Sequence, residues 1–173
     1  MTTVKKYLSL IKFSHTIFAM PFAMIGFFLA LQTQGTFKWN DMFLKFLLVV
    51  LCMVFARSAA MAFNRYLDRQ FDAKNPRTAI REIPAGMISS NSALLFTLLM
   101  SLLFVMCTFF INRLCFFLSP VALAVILGYS YTKRFTPLCH LVLGLGLSLA
   151  PIGAYLAVTG EFALLPVLFS FAV

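Results

Sequence analysis

Five long apolar runs leave this chain few folds to adopt. They cover approximately residues 15–31, 43–63, 93–111, 114–131 and 138–158. A helix that crosses the hydrocarbon core of a bilayer needs about 20 such residues. Hydrophobic residues make up 62% of the chain and charged residues 11%, against about 45–50% and about 25% in soluble domains. The sequence therefore predicts an all-α, polytopic transmembrane helical bundle that is embedded in a lipid bilayer, and it excludes an ordinary soluble protein.

A sixth apolar run begins near Phe162 and continues to Val173. About a dozen residues are too few to cross a membrane, so the pattern predicts five full spans and the start of a sixth. We accordingly expect a single membrane domain, 1–173, that is the N-terminal part of a longer protein.

The basic residues alternate between the two sides of the predicted membrane. One side carries the N-terminal tail, the segment 64–91 and the loop after the fourth span, and it holds ten of the 14 basic residues: Lys5, Lys6, Lys12, Arg65, Arg69, Lys74, Arg77, Arg81, Lys133 and Arg134. The opposite side holds Lys38, Lys45 and Arg113. Because basic loops stay in the cytoplasm, we expect the N-terminus and the segment 64–91 to be cytoplasmic, in a bacterial inner membrane. The net charge of +9 forms no continuous patch, so no nucleic-acid partner is expected.

The segment 64–91 holds three of the five acidic residues of the chain. Asn64, Asp68 and Asp72 follow one another at steps of four, which places them on one face of a helix. Carboxylate and amide oxygens are ligands that Mg²⁺ prefers, and this ion usually binds through one or two carboxylates together with substrate phosphates. The spacing therefore predicts a magnesium site at the membrane edge.

Arg57 lies on the same helix face, about two turns deeper than Asn64. A cation within the hydrocarbon region is costly unless an anion meets it, and further basic residues lie on the same membrane side. Magnesium and guanidinium groups together suit a diphosphate. An alternative remains open, since Asp68 and Asp72 alternate with Arg65 and Arg69, which is also typical of solvated ion pairs on a helix surface.

Two motifs carry a resemblance to a known family. The pattern Asn64-x-x-x-Asp68-x-x-x-Asp72, followed by Asn75-Pro-Arg77-Thr78-Ala-x-Arg81-x-x-Pro84-x-Gly86, resembles the first aspartate-rich motif of the UbiA superfamily of intramembrane prenyltransferases. The segment Tyr129-x-x-x-Lys133-Arg134 resembles the Tyr-x-x-x-Lys-Arg segment between the fourth and fifth helices of that family. Arg57 also has a counterpart in the 4-hydroxybenzoate branch.

The resemblance implies a helical bundle with a cavity in which an isoprenyl diphosphate binds through Mg²⁺. By this likeness Asn64, Asp68 and Asp72 hold the metal, and Arg57 faces either the diphosphate or the carboxylate of an aromatic acceptor. The positions expected to hold the diphosphate are Arg77, Arg81, Lys133 and Arg134.

The implied reaction is prenyl transfer to an aromatic acid similar to 4-hydroxybenzoate, in ubiquinone or menaquinone biosynthesis. Asp68, Asp72 and Arg57 are the expected catalytic residues, because they promote ionisation of the allylic diphosphate before the aromatic ring attacks the cation. Tyr66, Tyr129 and Tyr131 are candidates to shelter that cation. The alternative for these tyrosines is anchoring at the membrane interface.

Position 65 is Arg where many family members have Asp, and the second aspartate-rich motif of the family has no counterpart in this sequence. The chain as given is therefore expected to be inactive on its own.

Two other classes of protein fit the sequence less well. A CDP-alcohol phosphotransferase would need glycine after its first aspartate, where this chain has Arg69. A transporter or an inert membrane fragment would use Arg57 and the aspartates as a salt-bridge latch. Glu82 is a candidate partner for Arg81.

Overall fold

The computed structural model describes residues 3–35, 38–132, 135 and 139–171, and the regular secondary structure of these residues is entirely helical. The helices are α1 (Thr3–Leu10), α2 (Phe13–Gln34), α3 (Trp39–Lys74), α4 (Ser90–Ile111), α5 (Arg113–Thr132), α6 (Cys139–Thr159) and α7 (Leu164–Ser170). By length and composition α3, α4, α5 and α6 can each cross a membrane, and α2 contributes a shorter apolar stretch, Met20–Gln34. The predicted all-helical bundle of membrane helices is confirmed, with four helices long and apolar enough to cross among the described residues and a shorter apolar helix where the first span was predicted. Helix α7 lies in the apolar run that was predicted to start a sixth span.

The long helices pack as neighbours around an apolar interior. The most extensive contacts join α3 to α4 and α2 to α6, and α5 lies against α4 and α6. Residues of α2, α3 and α6 form the main core, which includes Phe27, Met53 and Tyr155. The outer face of α4 shows the opposite pattern, because Leu95, Leu98, Leu102, Met106 and Phe109 are all exposed. Their spacing of three to four residues makes a continuous apolar stripe, as expected of a surface that faces lipid.

Helices α2 and α6 approach each other closely at Gly26. A Cβ atom built on Gly26 would lie 2.1 Å from the carbonyl oxygen of Pro151. Only a residue without a side chain allows this approach, and small residues are the usual means by which membrane helices come close.

At one end of the bundle, three polar side chains bind the C-terminal carbonyls of α6. Lys45 Nζ donates to the Val158 carbonyl at 3.0 Å, and Gln34 Nε2 donates to the same oxygen at 3.3 Å. Asn112 Nδ2 donates to the Leu156 carbonyl at 2.8 Å. The last turn of a helix has carbonyls without intrahelical partners, and lipid cannot supply any. The polar cap binds the Val158 carbonyl and adds a second donor to the Leu156 carbonyl, which also accepts from Gly160 N at 2.9 Å.

At the other end, α3 continues well beyond the length of a membrane span. Its 36 residues extend about 54 Å at 1.5 Å per residue, whereas the hydrocarbon core is about 30 Å thick. The sequence predicted this continuous helix from Arg57 to Asp72. It did not predict α1, since the N-terminal residues were expected to form a tail. Leu10 of α1 is fully buried and packs in one cluster with Ala62 of α3, Ile88 of the loop before α4 and Ala93 of α4.

Candidate functional site

The site lies at the projecting end of α3, where Asp72 is 6% exposed. Arg81 Nη1 donates to Asp72 Oδ1 at 2.7 Å, which makes a partly buried ion pair. The second carboxylate oxygen, Asp72 Oδ2, is buried and has no hydrogen-bond partner among the residues that the structure describes. A buried oxygen of this kind is costly to leave unpaired, so the carboxylate is suited to an additional cationic ligand.

The loop 75–89 folds back over the end of α3 and brings Arg81 to Asp72. Asn75 ends the helix, and its side-chain Oδ1 accepts from the backbone N–H of Arg77 at 3.0 Å. Thr78 Oγ1 donates to the Asp72 carbonyl at 3.0 Å, which closes the last helical turn. Asx turns and hydroxyl bonds of this type fix a tight change of chain direction. The sequence Asn-Pro-Arg-Thr therefore sets where the following arginine can reach.

Arg65 is the site residue whose position the sequence did not predict. It is 7% exposed, and its Nε is buried without a hydrogen-bond partner among the described residues. The side chain lies within electrostatic range of Arg81, Glu82, Asp72 and Asp68. The interpretation of Arg65 as a solvated surface residue is therefore wrong. A detectable signal existed, because Ser58, Ala62 and Arg65 are spaced four and three apart and share the buried face of α3.

Asn64 and Asp68 lie on α3 as expected, and both are half-buried. Arg57 lies further along the same helix, about 10 Å below Asn64 at the helical rise per residue. Its Nε is buried and has no hydrogen-bond partner among the described residues. The predicted arrangement of an amide and two carboxylates above a buried cation therefore has a continuous helix to support it.

Arg57 contributes to the wall of a cavity of about 350 Å³ inside the bundle. Its lining comes mainly from α3, α4, α5 and α6 and is predominantly apolar. The hydroxyl groups in the lining donate to backbone carbonyls of their own helices, Thr108 Oγ1 to that of Val105 and Ser119 Oγ to that of Phe116. Arg57 is the only charged side chain in the described lining. The cavity thus suits an apolar ligand that ends in an anion.

Two of the three predicted tyrosines belong to an aromatic cluster between α3 and α5. The ring of Phe63 lies 6.5 Å from that of Tyr66 and 5.8 Å from that of Tyr131. The Arg69 guanidinium lies over the Tyr66 ring, 4.3 Å from its centroid. The face of Tyr66 therefore already binds a cation. Tyr129 lies in the same final turns of α5 and is half-buried.

The remaining predicted residues are Arg77, Lys133, Arg134 and Glu82. Arg77 is exposed on the loop, whereas Lys133 and Arg134 lie outside the described residues. The expected pairing of Glu82 with Arg81 is replaced by two other contacts, because Glu82 Oε1 accepts from Ser9 Oγ and Arg81 binds Asp72.

The donor set fits a magnesium ion that shares its ligands with a substrate. No group of three or more His, Cys, Asp and Glu side chains that could hold a metal is found among the described residues. Mg²⁺ does not require one, since it commonly binds one or two carboxylates plus phosphate oxygens. Asp72 Oδ2, which has no described partner, is the oxygen best placed to take that role.

Comparison with known proteins gives a consistent result. Residues 19–173 match the model of the UbiA prenyltransferase family. A 4-hydroxybenzoate octaprenyltransferase from Photobacterium profundum is 42% identical over 113 residues, which are 65% of this chain and 39% of that protein. The chain belongs to the UbiA prenyltransferase family.

Solved structures agree with this assignment. The apo structure of a UbiA homolog from Aeropyrum pernix superposes with a TM-score of 0.75 at 34% identity, over 91% of this chain and 55% of the other. A UbiA homolog from Archaeoglobus fulgidus bound to GPP and Mg²⁺ shares the fold, with a TM-score of 0.75 at 21% identity over 96% of this chain and 59% of the other. The chain thus spans less than two thirds of the length of these proteins.

Proposed function

We propose that this chain is the N-terminal part of an enzyme that transfers a polyprenyl group from an isoprenyl diphosphate to an aromatic acid similar to 4-hydroxybenzoate, in quinone biosynthesis. The observation that carries the proposal is the ion pair between Arg81 and Asp72 at the end of α3. The same helix, deeper in the bundle, lines an apolar cavity whose described wall contains one arginine, Arg57. The relatives named 4-hydroxybenzoate octaprenyltransferase support the acceptor and the ubiquinone pathway. Menaquinone biosynthesis by a related prenylation is the alternative pathway.

In this proposal the end of α3 and its loop bind the diphosphate group. Asn64, Asp68 and Asp72 hold Mg²⁺, and Arg81 donates hydrogen bonds to phosphate oxygens in place of its present bond to Asp72. Arg77, Lys133 and Arg134 add positive charge around the same group. When bound, Mg²⁺ neutralises charge that develops on the departing diphosphate. The guanidinium groups stabilise the same charge through charge-assisted hydrogen bonds.

The apolar cavity and the aromatic cluster serve the organic parts of the substrates. The cavity accepts apolar chain, and its hydrophobic lining keeps water from the reacting carbon. Tyr66, Tyr129 and Tyr131 stabilise the allylic cation through their ring faces. This requires Arg69 to leave the face of Tyr66 that it now covers.

Arg57 binds the carboxylate of the aromatic acceptor in this proposal. Its Cα lies about 16 Å from that of Asp68 along the helix, which separates it from the diphosphate bound at the carboxylates. A buried guanidinium in an apolar wall needs a counterion. A ring that carries a carboxylate can supply one and is thereby oriented for attack on the cation.

Substitution of the two aspartates tests the proposal in the protein expressed from its full open reading frame. Asp68→Ala and Asp72→Ala should each lower prenyl transfer to 4-hydroxybenzoate at least about 100-fold, since removal of one group that stabilises transition-state charge costs about this much. Product is measured with purified protein, geranyl diphosphate and Mg²⁺, and membrane insertion is checked by fractionation.

Asp41→Ala is the matched control, because Asp41 lies in the first turn of the same helix. It should retain wild-type turnover. Wild-type turnover in either of the other two variants contradicts the metal assignment. Failure of the wild-type protein to bind geranyl diphosphate in the presence of Mg²⁺ contradicts the function, and would favour the transporter-like or inert alternatives.

The membrane and its orientation are part of the same proposal. We infer that the protein lies in the inner membrane of a bacterial cell, with the N-terminus and the loop 75–89 on the cytoplasmic side. The distribution of basic residues supports this orientation, and the bacterial relatives support the compartment.

A further inference from the structure

The turn after Arg81 points two neighbouring side chains in different directions. Arg81 reaches Asp72 of α3, whereas Glu82 Oε1 accepts from Ser9 Oγ of α1. The backbone on both sides of Glu82 is held by the turn, since the Arg81 carbonyl accepts from Ala85 N at 2.9 Å and the Glu82 carbonyl accepts from Met87 N at 2.9 Å. The position of Glu82 therefore constrains the position of Arg81.

Helix α1 is fixed against this loop by contacts on both sides of Ser9. Lys6 Nζ donates to the Met87 carbonyl at 3.3 Å. The ring of Tyr7 lies 4.9 Å from the ring of Phe96, and Leu10 is fully buried against Ile88. The N-terminal helix thus holds the loop at Glu82, Met87 and Ile88, whereas Asp72 holds it at Arg81.

The charge of Glu82 influences the position of Arg81 through Arg65. Arg65 is buried beside Arg81, and two guanidinium groups repel each other in a medium of low dielectric constant. Glu82 is the negative neighbour of Arg65 that does not belong to the proposed metal site. Arg65 Nε and Glu82 Oε2 are both buried without hydrogen-bond partners among the described residues, so the attraction between these two charges is only weakly screened by water.

We propose that Glu82, held by Ser9 and balanced against Arg65, is a positioning residue that directs Arg81 towards the diphosphate site. The proposal rests on the proposed function and adds a role for α1 and for Arg65 within it. Glu82 does not touch the substrate, because its carboxylate is turned towards α1.

The test is a double-mutant cycle between Glu82 and Arg81, made in the protein expressed from its full open reading frame. Glu82→Gln keeps an oxygen that accepts from Ser9 but removes the charge. We expect the dissociation constant for geranyl diphosphate with Mg²⁺, measured by isothermal titration calorimetry, to rise about tenfold, the equivalent of about 1.4 kcal/mol. In an Arg81→Ala background the same substitution should have no further effect, because residues that act through each other are not additive.

Steady-state kinetics give a second measurement, because a merely structural role of Glu82 would not change the KM of one substrate alone. The KM for geranyl diphosphate should rise about tenfold with Glu82→Gln, in line with the dissociation constant, while the KM for 4-hydroxybenzoate is unchanged. Glu161→Gln is the control, since Glu161 is exposed beyond the C-terminal end of α6. It should change neither constant.

An equal effect of Glu82→Gln in both backgrounds, or no effect in either, overturns the positioning role. If Glu82→Gln does not accumulate in the membrane, Ser9→Ala is compared in the same two backgrounds and judged by the same criterion. The expected rise in the dissociation constant is then about threefold, because one neutral hydrogen-bond donor is lost. These outcomes differ from a failure of the proposed function, in which the wild-type protein itself does not bind geranyl diphosphate.

Discussion

The contact between Gly26 and Pro151 allows a quantitative prediction of bundle stability. In Gly26→Ala the new Cβ would lie 2.1 Å from the Pro151 carbonyl oxygen, whereas carbon–oxygen contacts between helices are about 3.3–3.6 Å. The helices α2 and α6 must therefore separate by about 1 Å, because that oxygen belongs to the backbone and cannot turn away. Overpacking of this kind costs about 1–3 kcal/mol, and a loss of about 2 kcal/mol lowers the Tm of a chain of this size by about 6 °C.

The melting temperature can be measured with a fluorescent dye that reacts with thiols exposed on unfolding. Cys52, Cys107 and Cys115 are free and partly buried, so they report loss of helix packing. Gly144→Ala is the matched control on α6, because a Cβ there would meet nothing within 4 Å. It should leave the Tm unchanged or raise it, since alanine favours a helix over glycine by up to about 1 kcal/mol. A Gly26→Ala protein that melts at or above the Gly144→Ala protein refutes the reasoning.

Two further predictions concern the substrate and the membrane. Arg57→Leu should raise the KM for 4-hydroxybenzoate at least about tenfold in steady-state assays, since a hydrogen bond to a charged group is worth about 1.5–3 kcal/mol, and should leave the KM for geranyl diphosphate unchanged. A rise in the KM for geranyl diphosphate alone would assign Arg57 to the diphosphate instead. A cysteine introduced at Lys74, which is exposed at the end of α3, should react with a membrane-impermeant maleimide only from the cytoplasmic side; labelling of intact cells from outside would reverse the proposed orientation.

The helices and the helical arrangement of the motif could be predicted because they depend on local sequence. Apolar runs of membrane length determine the spans. The step of four residues from Asn64 to Asp72 places the three side chains on one face of any regular helix. The extension of α3 beyond the membrane follows from the same spacing, because Arg57 and the aspartates share one face only if the helix between them is unbroken. These features require no knowledge of what the helix packs against.

The features that could not be predicted depend on contacts between distant segments. Arg65 resembles a surface residue in the sequence, and it is buried because α1 and the loop 75–89 close over that face of α3. Small residues such as Gly144 and Gly146 are typical of close helix contacts, yet a Cβ at Gly144 would meet nothing within 4 Å and one at Gly146 would meet Ile126 at 3.9 Å. The tight contact lies at Gly26 instead, since it is the position of the partner backbone that decides which glycine is required.

The polar cap on α6 has a consequence for how the protein tolerates different membranes. Val158 and Leu156 receive their hydrogen bonds from Lys45, Gln34 and Asn112 rather than from water. These two carbonyls can therefore lie below the headgroups without the penalty of an unpaired acceptor. Hydrophobic mismatch normally forces a helix to tilt or the bilayer to deform. At this end of the bundle the partners of the two carbonyls belong to the protein itself, so their hydrogen bonds do not depend on the position of the bilayer surface.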